Sequence, residues 1–93
     1  MAIRTFQGKG LRRFFAESDR RGIPPESAER IRRMLDRLEA AKVAGDMDLP
    51  GYYFHALKGD RKGTYSVRVT GNLRLTFRFD AEGAKDVDLE DYH

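Results

Sequence analysis

The spacing of apolar residues divides the chain into a helical first half and a sheet-forming second half. Between Leu11 and Ala41 apolar residues recur every three or four positions, which is the period of a helix with one buried side. After Gly51 they alternate with polar residues, which is the period of a strand with one buried face. Helices followed by a run of strands predict an α+β fold.

A short strand and two helices are predicted in the first half. The strand covers residues 1–7 and is broken by Gly8 and Gly10. The first helix is expected to end at Gly22, and the second to cover about residues 25–43, with Pro24 and Pro25 in its first turn. The apolar stripes that identify them are Leu11, Phe14 and Phe15 in the first helix, and Ala28, Ile31, Leu35, Leu38 and Ala41 in the second.

About four strands are predicted in the second half, as a meander with turns near residues 58–63, 70–72 and 80–83. One face of this sheet is rich in Leu, Val and Phe and requires a cover, which the helices supply. The predicted architecture is therefore a strand and then two N-terminal helices packed on one face of a mostly antiparallel four- to five-stranded sheet. A chain of 93 residues is expected to form one domain, residues 1–93.

The charges are unevenly distributed. Thirteen of the 18 basic residues are arginine, whereas residues 80–93 hold six acids and only Lys85 as a base. Arginine binds phosphate in a bidentate way, so a polyanionic partner is one interpretation and an ordinary solvated surface is the other.

The absence of cysteine excludes disulfides and thiolate metal sites. No long apolar run is present, so a cytoplasmic location without a membrane partner is expected.

The polar face of the sheet is the first candidate site. Strand parity places Arg68, Arg74 and Arg78 on it, and the turn that carries Lys58, Arg61 and Lys62 is expected at one of its ends. Such a group of cations can hold a phosphodiester and stabilise the negative charge that develops during its cleavage. Solvated arginines on an uncovered sheet would give the same sequence pattern, so this alternative remains open.

The end of the chain, Asp91-Tyr92-His93, is the second candidate. Histidine moves protons near neutral pH, a neighbouring carboxylate can orient its ring, and tyrosine can stack on a base. The segment continues a strand beside the arginine-bearing strands, although a frayed terminus is the alternative. His55, the other imidazole, is either a phosphate ligand or a structural residue.

Other kinds of site are weakly supported. No glycine-rich phosphate loop is present, and two distant histidines without cysteine make a structural zinc site improbable. The acidic residues near the end, Asp86, Asp88, Glu90 and Asp91, can bind a hard cation. Alternation places the first three on one face, so these three can equally pair with the arginines.

Several motifs together resemble the HigB toxins, a branch of the RelE superfamily of bacterial toxin–antitoxin systems. The resemblance runs along the whole chain without an evident insertion. Family members often have an aromatic residue at Leu73 and a proline at Ala56, and the last strand is more acidic than expected. The motifs are Lys9-Gly10-Leu11, Asp48-Leu49-Pro50-Gly51, His55-Ala56-Leu57-Lys58-Gly59-Asp60-Arg61-Lys62-Gly63, Ser66-Val67-Arg68-Val69, Gly71-Asn72-Leu73-Arg74-Leu75-Thr76-Phe77 and Glu90-Asp91-Tyr92-His93.

The resemblance implies a RelE-type fold and a ribosome-dependent endoribonuclease that cuts mRNA in the decoding site, against 16S rRNA, without metal or cofactor. It further implies a helix-turn-helix antitoxin of the HigA type as partner. By this resemblance His93 transfers protons and Asp91 assists it. Tyr92 positions the cleaved nucleotide, Lys58 and Arg74 neutralise the phosphate, and His55 supports the site. The alternatives are a noncatalytic RNA- or ribosome-binding module and a co-repressor subunit that acts only through its antitoxin.

Overall fold

The computed structural model describes residues 3–91, and within them it has two α-helices and four β-strands. The strands form one antiparallel sheet in chain order, which confirms the predicted α+β architecture. None of the helices in this range is long and apolar enough to cross a membrane. The elements are α1 (Lys9–Glu17), α2 (Ala28–Ala40), β1 (His55–Ala56), β2 (Thr64–Arg68), β3 (Leu73–Asp80) and β4 (Gly83–Asp91), with short 3₁₀ turns at Pro25–Ser27, Ala44–Met47 and Gly59–Arg61.

Both helices are shorter than the sequence predicts. α1 ends at Glu17 because Ser18 takes a left-handed conformation (φ 59°), and its amide bonds back to the helix. The expected end at Gly22 is therefore wrong, and Gly22 lies in the following loop with φ 83°. α2 begins only after the 3₁₀ turn and ends at Ala40, since Ala41 is extended.

The segment before α1 lies along the outer edge of β4. Ile3 and Phe6 form isolated parallel bridges with Ala84 and Val87. The amide of Arg4 donates to the Ala84 carbonyl at 2.8 Å. The predicted first strand thus pairs with the sheet, but as two separate bridges and not as a regular strand.

A single hydrophobic cluster joins the helices to one face of the sheet. Its fully buried members come from α2, from the 3₁₀ turn Ala44–Met47 and from β2, β3 and β4. Tyr65 stacks between Phe54 and Phe77 at centroid distances of 5.5 and 5.8 Å. The helices therefore cover the apolar face and leave the polar face for a site. The largest buried side chains of the cluster are Phe77, Ile31, Met34, Leu35, Leu38, Met47, Leu75, Val67 and Val87.

Two irregularities shape the sheet. β1 has only two residues, although a longer strand is predicted, because Tyr53 takes a left-handed backbone (φ 51°) just before it. In β4, Asp86 and Val87 together face Phe77, which makes a bulge with Asp86 at φ 53°. Because of the bulge, the side chain of Val87 lies in the core. After Val87 every second side chain, beginning with the next residue, lies on the polar face.

Candidate active site on the polar sheet face

Direct cross-strand partners share a face, so the sheet register shows which side chains lie together. Arg68 of β2 is opposite Arg74 of β3, which is opposite Glu90 of β4. Arg78 pairs with Thr64 on the same face. The predicted parity of the three strand arginines is therefore confirmed. Beneath the long charged side chains lie hydroxyl residues that are almost fully buried, namely Thr64, Ser66 and Thr76.

Glu90 is the centre of a charged network on this face. Arg61 donates two parallel hydrogen bonds to its carboxylate, Nη1 to Oε1 at 2.9 Å and Nη2 to Oε2 at 2.6 Å. Arg74 Nη2 donates to Oε1 at 3.3 Å, and the hydroxyl of Thr76 donates to Oε2 at 2.8 Å. A bidentate arginine pair of this kind fixes both partners geometrically. The network thus ties the 3₁₀ turn after β1 to the two strands at the far side of the sheet.

The network changes the acidity of the carboxyl at its centre. The Arg61 hydrogen bonds lower the pKa of Glu90 from 4.5 to about 2, helped by Thr76 and Arg74 and opposed by partial burial. Glu90 is 21% exposed, so solvent screens it only in part. The carboxylate is therefore charged throughout the neutral and weakly acidic range, and it holds Arg61 and Arg74 in place there.

The shifted pKa predicts a pH-dependent stability. Because the folded pKa of Glu90 lies below its ordinary value, its contribution is complete above about pH 4.5 and is lost as pH falls towards 2. We expect Glu90→Gln to lower the free energy of unfolding by about 1–3 kcal/mol near pH 7, in the range for hydrogen bonds to charged groups. The difference from the wild type should shrink towards zero across that acid window. Denaturant unfolding at a series of pH values measures it, and a difference independent of pH would refute the assignment.

A cleft of about 460 Å³ opens beside the network. Arg74 belongs to the charged network and to the cleft, because its side chain pairs with Glu90 and also lines the cleft together with His55 and Arg68. The structure therefore brings three of the predicted site residues around one space. The remaining lining residues are Tyr53, Phe54 and Ser66.

Other predicted residues lie outside this cleft. Lys58 and Lys62 line a separate depression of about 440 Å³ with Tyr65. Arg78 lines a third depression of about 360 Å³, which also contains Arg61, and it donates weakly to the Thr64 hydroxyl at 3.4 Å.

The end of the chain is only partly described. Asp91 pairs with Leu73 and is exposed at the end of β4. By alternation it belongs to the other face of the sheet from the one that carries Arg74. Tyr92 and His93 lie outside the described residues. Within residues 3–91 no group of three or more acidic or histidine side chains is arranged to hold a metal ion.

The sequence only partly predicts the positions of two residues on the polar face, Glu90 and Tyr53. Glu90 is one of several acids near the end, and alternation alone does not select it as the partner of the arginines. Tyr53 is predicted to alternate within a strand, whereas its left-handed backbone and 65% exposure place it at the rim of the cleft. The one signal in the sequence is the run Tyr52-Tyr53-Phe54, which breaks strict alternation.

The fold is that of known small toxins. A solved structure described as the YoeB dimer from Staphylococcus aureus superposes with a TM-score of 0.65 at 18% identity, covering 100% of this chain and 97% of that one. The YoeB/ParE toxin from Agrobacterium tumefaciens gives 0.66 at 17% identity, covering 100% and 99%. At this level of identity the likeness establishes the shared fold.

Sequence comparison identifies the family. The profile of the RelE-like toxin of type II toxin–antitoxin system HigB matches residues 4–93. Endoribonuclease HigB of Proteus vulgaris is 36% identical over 91 residues, which are 98% of this chain and 99% of that protein. Toxin HigB-1 of Vibrio cholerae is 36% identical over 76 residues, or 80% of each chain. The chain belongs to the HigB-like family of RelE-type toxins, as the sequence motifs predict.

Proposed function

We propose that this toxin cuts mRNA on the ribosome by attack of a ribose 2′-hydroxyl on the adjacent phosphate. Family membership makes the chain the toxin of a type II toxin–antitoxin system, and its similarity to the Proteus endoribonuclease assigns it RNA cleavage. The observation that supports this cleavage mechanism is the position of Arg74. It lines a cleft with His55 and Arg68, and it donates a hydrogen bond to the Glu90 carboxylate.

The proposed reaction is a transesterification that consumes no water. A base removes the 2′-hydroxyl proton, the O2′–P bond forms, and the P–O5′ bond breaks as an acid protonates the leaving 5′-oxygen. The products are a 2′,3′-cyclic phosphate and a 5′-hydroxyl. Negative charge builds up on the phosphate oxygens at the transition state, and preorganised guanidinium groups stabilise it there. Arg74 is the group that we assign to this task.

The proton-transfer groups are assigned to the end of the chain. His93 is the proposed main acid or base, and Tyr92 is proposed to position the cleaved nucleotide. Asp91 alternates away from the Arg74 face but is exposed at the end of β4, and it is proposed to assist His93 from there. Chain geometry supports this placement, since three residues span at most about 11 Å and His93 is three residues beyond Glu90. Glu90 itself lies opposite Arg74 in the sheet. The chain length between Glu90 and His93 therefore allows His93 to act at the cleft.

The remaining cations are proposed to hold the RNA on either side of the cleaved phosphate. Lys58 and Lys62 line the separate depression that contains Tyr65, and Lys58 is proposed to neutralise the reacting phosphate from there. His55 and Arg68 are proposed to bind the RNA from the cleft that they line. Arg61 and Arg78 are proposed RNA ligands in the depression beside β4, which is also lined by four acidic residues, Asp60, Asp86, Asp88 and Glu90. Such contacts fix register and orientation and carry no base specificity.

The partners follow from the same proposal. The mRNA is bound in the ribosomal decoding site, where exposed cations also meet 16S rRNA, and a helix-turn-helix antitoxin of the HigA type neutralises the toxin. No cofactor takes part, and the proposed site of action is the cytoplasm.

Expression with and without the adjacent open reading frame tests this function. Expressed alone in a bacterial host, the chain should arrest growth and produce new 5′ ends inside the translated parts of mRNAs. Co-expression of the neighbouring frame should abolish both effects. If growth and mRNA remained unchanged in the absence of that frame, the chain would act only as an RNA-binding or co-repressing subunit, and the proposal would fail.

A further inference from the structure

Tyr53 and Arg68 form an exposed stacked pair, and the proposed cleavage chemistry assigns no role to Tyr53. The guanidinium carbon of Arg68 lies 4.3 Å from the centroid of the Tyr53 ring. The tyrosine is 65% exposed, so it contributes little to the core. An aromatic ring at the rim of a polar cleft, with a planar cation stacked on it, presents a surface suited to another flat ring.

The backbone at Tyr53 is strained in a way that favours a function. Its φ of 51° is left-handed, a conformation that costs energy for a bulky residue and is common only for glycine, asparagine and aspartate. Residues held in such conformations concentrate at ligand-binding sites, where the surrounding structure enforces them. In this chain the residue that has this backbone conformation lines the cleft.

The contacts that hold the segment of Tyr53 involve the two residues before it and the end of β2. The amide of Arg68 donates to the Tyr52 carbonyl at 2.7 Å. Arg30 of α2 donates to the carbonyl of Gly51 at 2.7 Å and to that of Arg68 at 2.9 Å. One side chain therefore ties together the two segments that carry the stacked pair, so the pair is held in place before any ligand binds.

We propose that Tyr53 and Arg68 form a stacking platform for one RNA base of the substrate. The phosphate next to that base would lie at the other end of the cleft, against Arg74 and His55. A volume of about 460 Å³ is in the range of pockets that hold small ligands. Base–aromatic stacking accepts every base, so the platform sets where the RNA lies and contributes affinity. This inference rests on the proposed function, since it takes RNA as the ligand.

Binding to ribosomes programmed with a defined mRNA tests the platform. The codon in the decoding site carries 2′-O-methyl groups, which prevent the 2′-hydroxyl from attacking, so that dissociation constants are measured without cleavage. Tyr53→Asn removes the ring but tolerates the left-handed backbone. We expect it to bind about 5–150-fold more weakly, the loss typical of one stacked base. Tyr53→Phe should recover most of that loss because it keeps the ring.

Abasic mRNAs separate stacking from a merely structural effect. Each base of the codon is removed in turn, and the wild type is compared with Tyr53→Asn. At one position the removal should weaken wild-type binding and abolish the difference between the two proteins.

Arg37→Ala, on the exposed side of α2, is the matched control for loss of one positive charge, and Arg68→Ala is expected to lose more affinity than this control.

The proposal is overturned if Tyr53→Asn binds intact mRNA as tightly as the wild type. It is equally overturned if its deficit is the same for every abasic mRNA, because the ring would then not contact a base. Should Tyr53→Asn fail to fold, Tyr53→Gly, which takes positive φ freely, gives the same comparison. Failure of the proposed function has a different signature: the wild type leaves the unmethylated mRNA uncut, whatever the Tyr53 variants bind.

Discussion

Replacing His93 with alanine is expected to lower the rate of mRNA cleavage by about 10²–10⁴-fold, the usual effect of losing one proton-transfer group. The chain has only one other histidine, His55, which we assign to phosphate binding and not to the main proton transfer. Single-turnover cleavage of mRNA on programmed ribosomes measures the chemical step directly. Binding to the ribosome should be retained, because His93→Ala leaves the cations of the polar face intact.

His55→Ala is the matched control for His93→Ala, since it removes the same side chain from the cleft wall. We expect it to weaken binding more than it slows cleavage at saturation. If His93→Ala cleaved at the wild-type rate, the role of the terminal histidine would be excluded. If His55→Ala lost as much rate as His93→Ala and bound normally, the two assignments would have to be exchanged.

Arg74→Ala is expected to lower the rate at saturation by about 10²–10³-fold, the range for losing one preorganised group that faces developing charge. Arg74 is 21% exposed, so its charge is partly shielded from water and acts strongly on a nearby phosphate. The fold should persist, because Glu90 keeps its bonds to Arg61 and Thr76. The same single-turnover assay measures the effect.

Arg74→Lys keeps the charge but loses the planar donor set, so we expect an intermediate rate. Arg37→Ala removes one arginine from the exposed side of α2 and should cleave like the wild type. If Arg37→Ala and Arg74→Ala lowered the cleavage rate equally, only the total positive charge of the protein would determine that rate. That result would remove the basis for placing the cleaved phosphate in the cleft.

The faces of the sheet could be predicted from the sequence because alternation has a period of two. Alternation places Arg68, Arg74 and Arg78 on one face, and the register confirms it. The second helix was predicted for a similar reason, since its apolar stripe is long. Helix ends were predicted less well, because the left-handed turn fell at Ser18 and not at a glycine.

Local backbone irregularities could not be predicted. No glycine marks the bulge at Asp86, and the turn motif Pro50-Gly51 predicts a turn before Tyr53 but not the left-handed backbone of Tyr53 itself. Among the acids near the end, only the register identifies Glu90 as the residue opposite Arg74. The roles of Tyr92 and His93 rest on the family resemblance and remain predictions.

The chemistry of the RNA ends tests the central claim most directly. Purified wild-type chain is mixed with a defined mRNA, either free or bound to ribosomes with a codon in the decoding site, and the fragments are analysed by mass spectrometry. We predict rapid cutting of the ribosome-bound mRNA alone, within that codon, giving a 2′,3′-cyclic phosphate and a 5′-hydroxyl. Fragments that carry a 5′-phosphate and a 3′-hydroxyl, or equally fast cutting of free mRNA, would contradict the proposed mechanism.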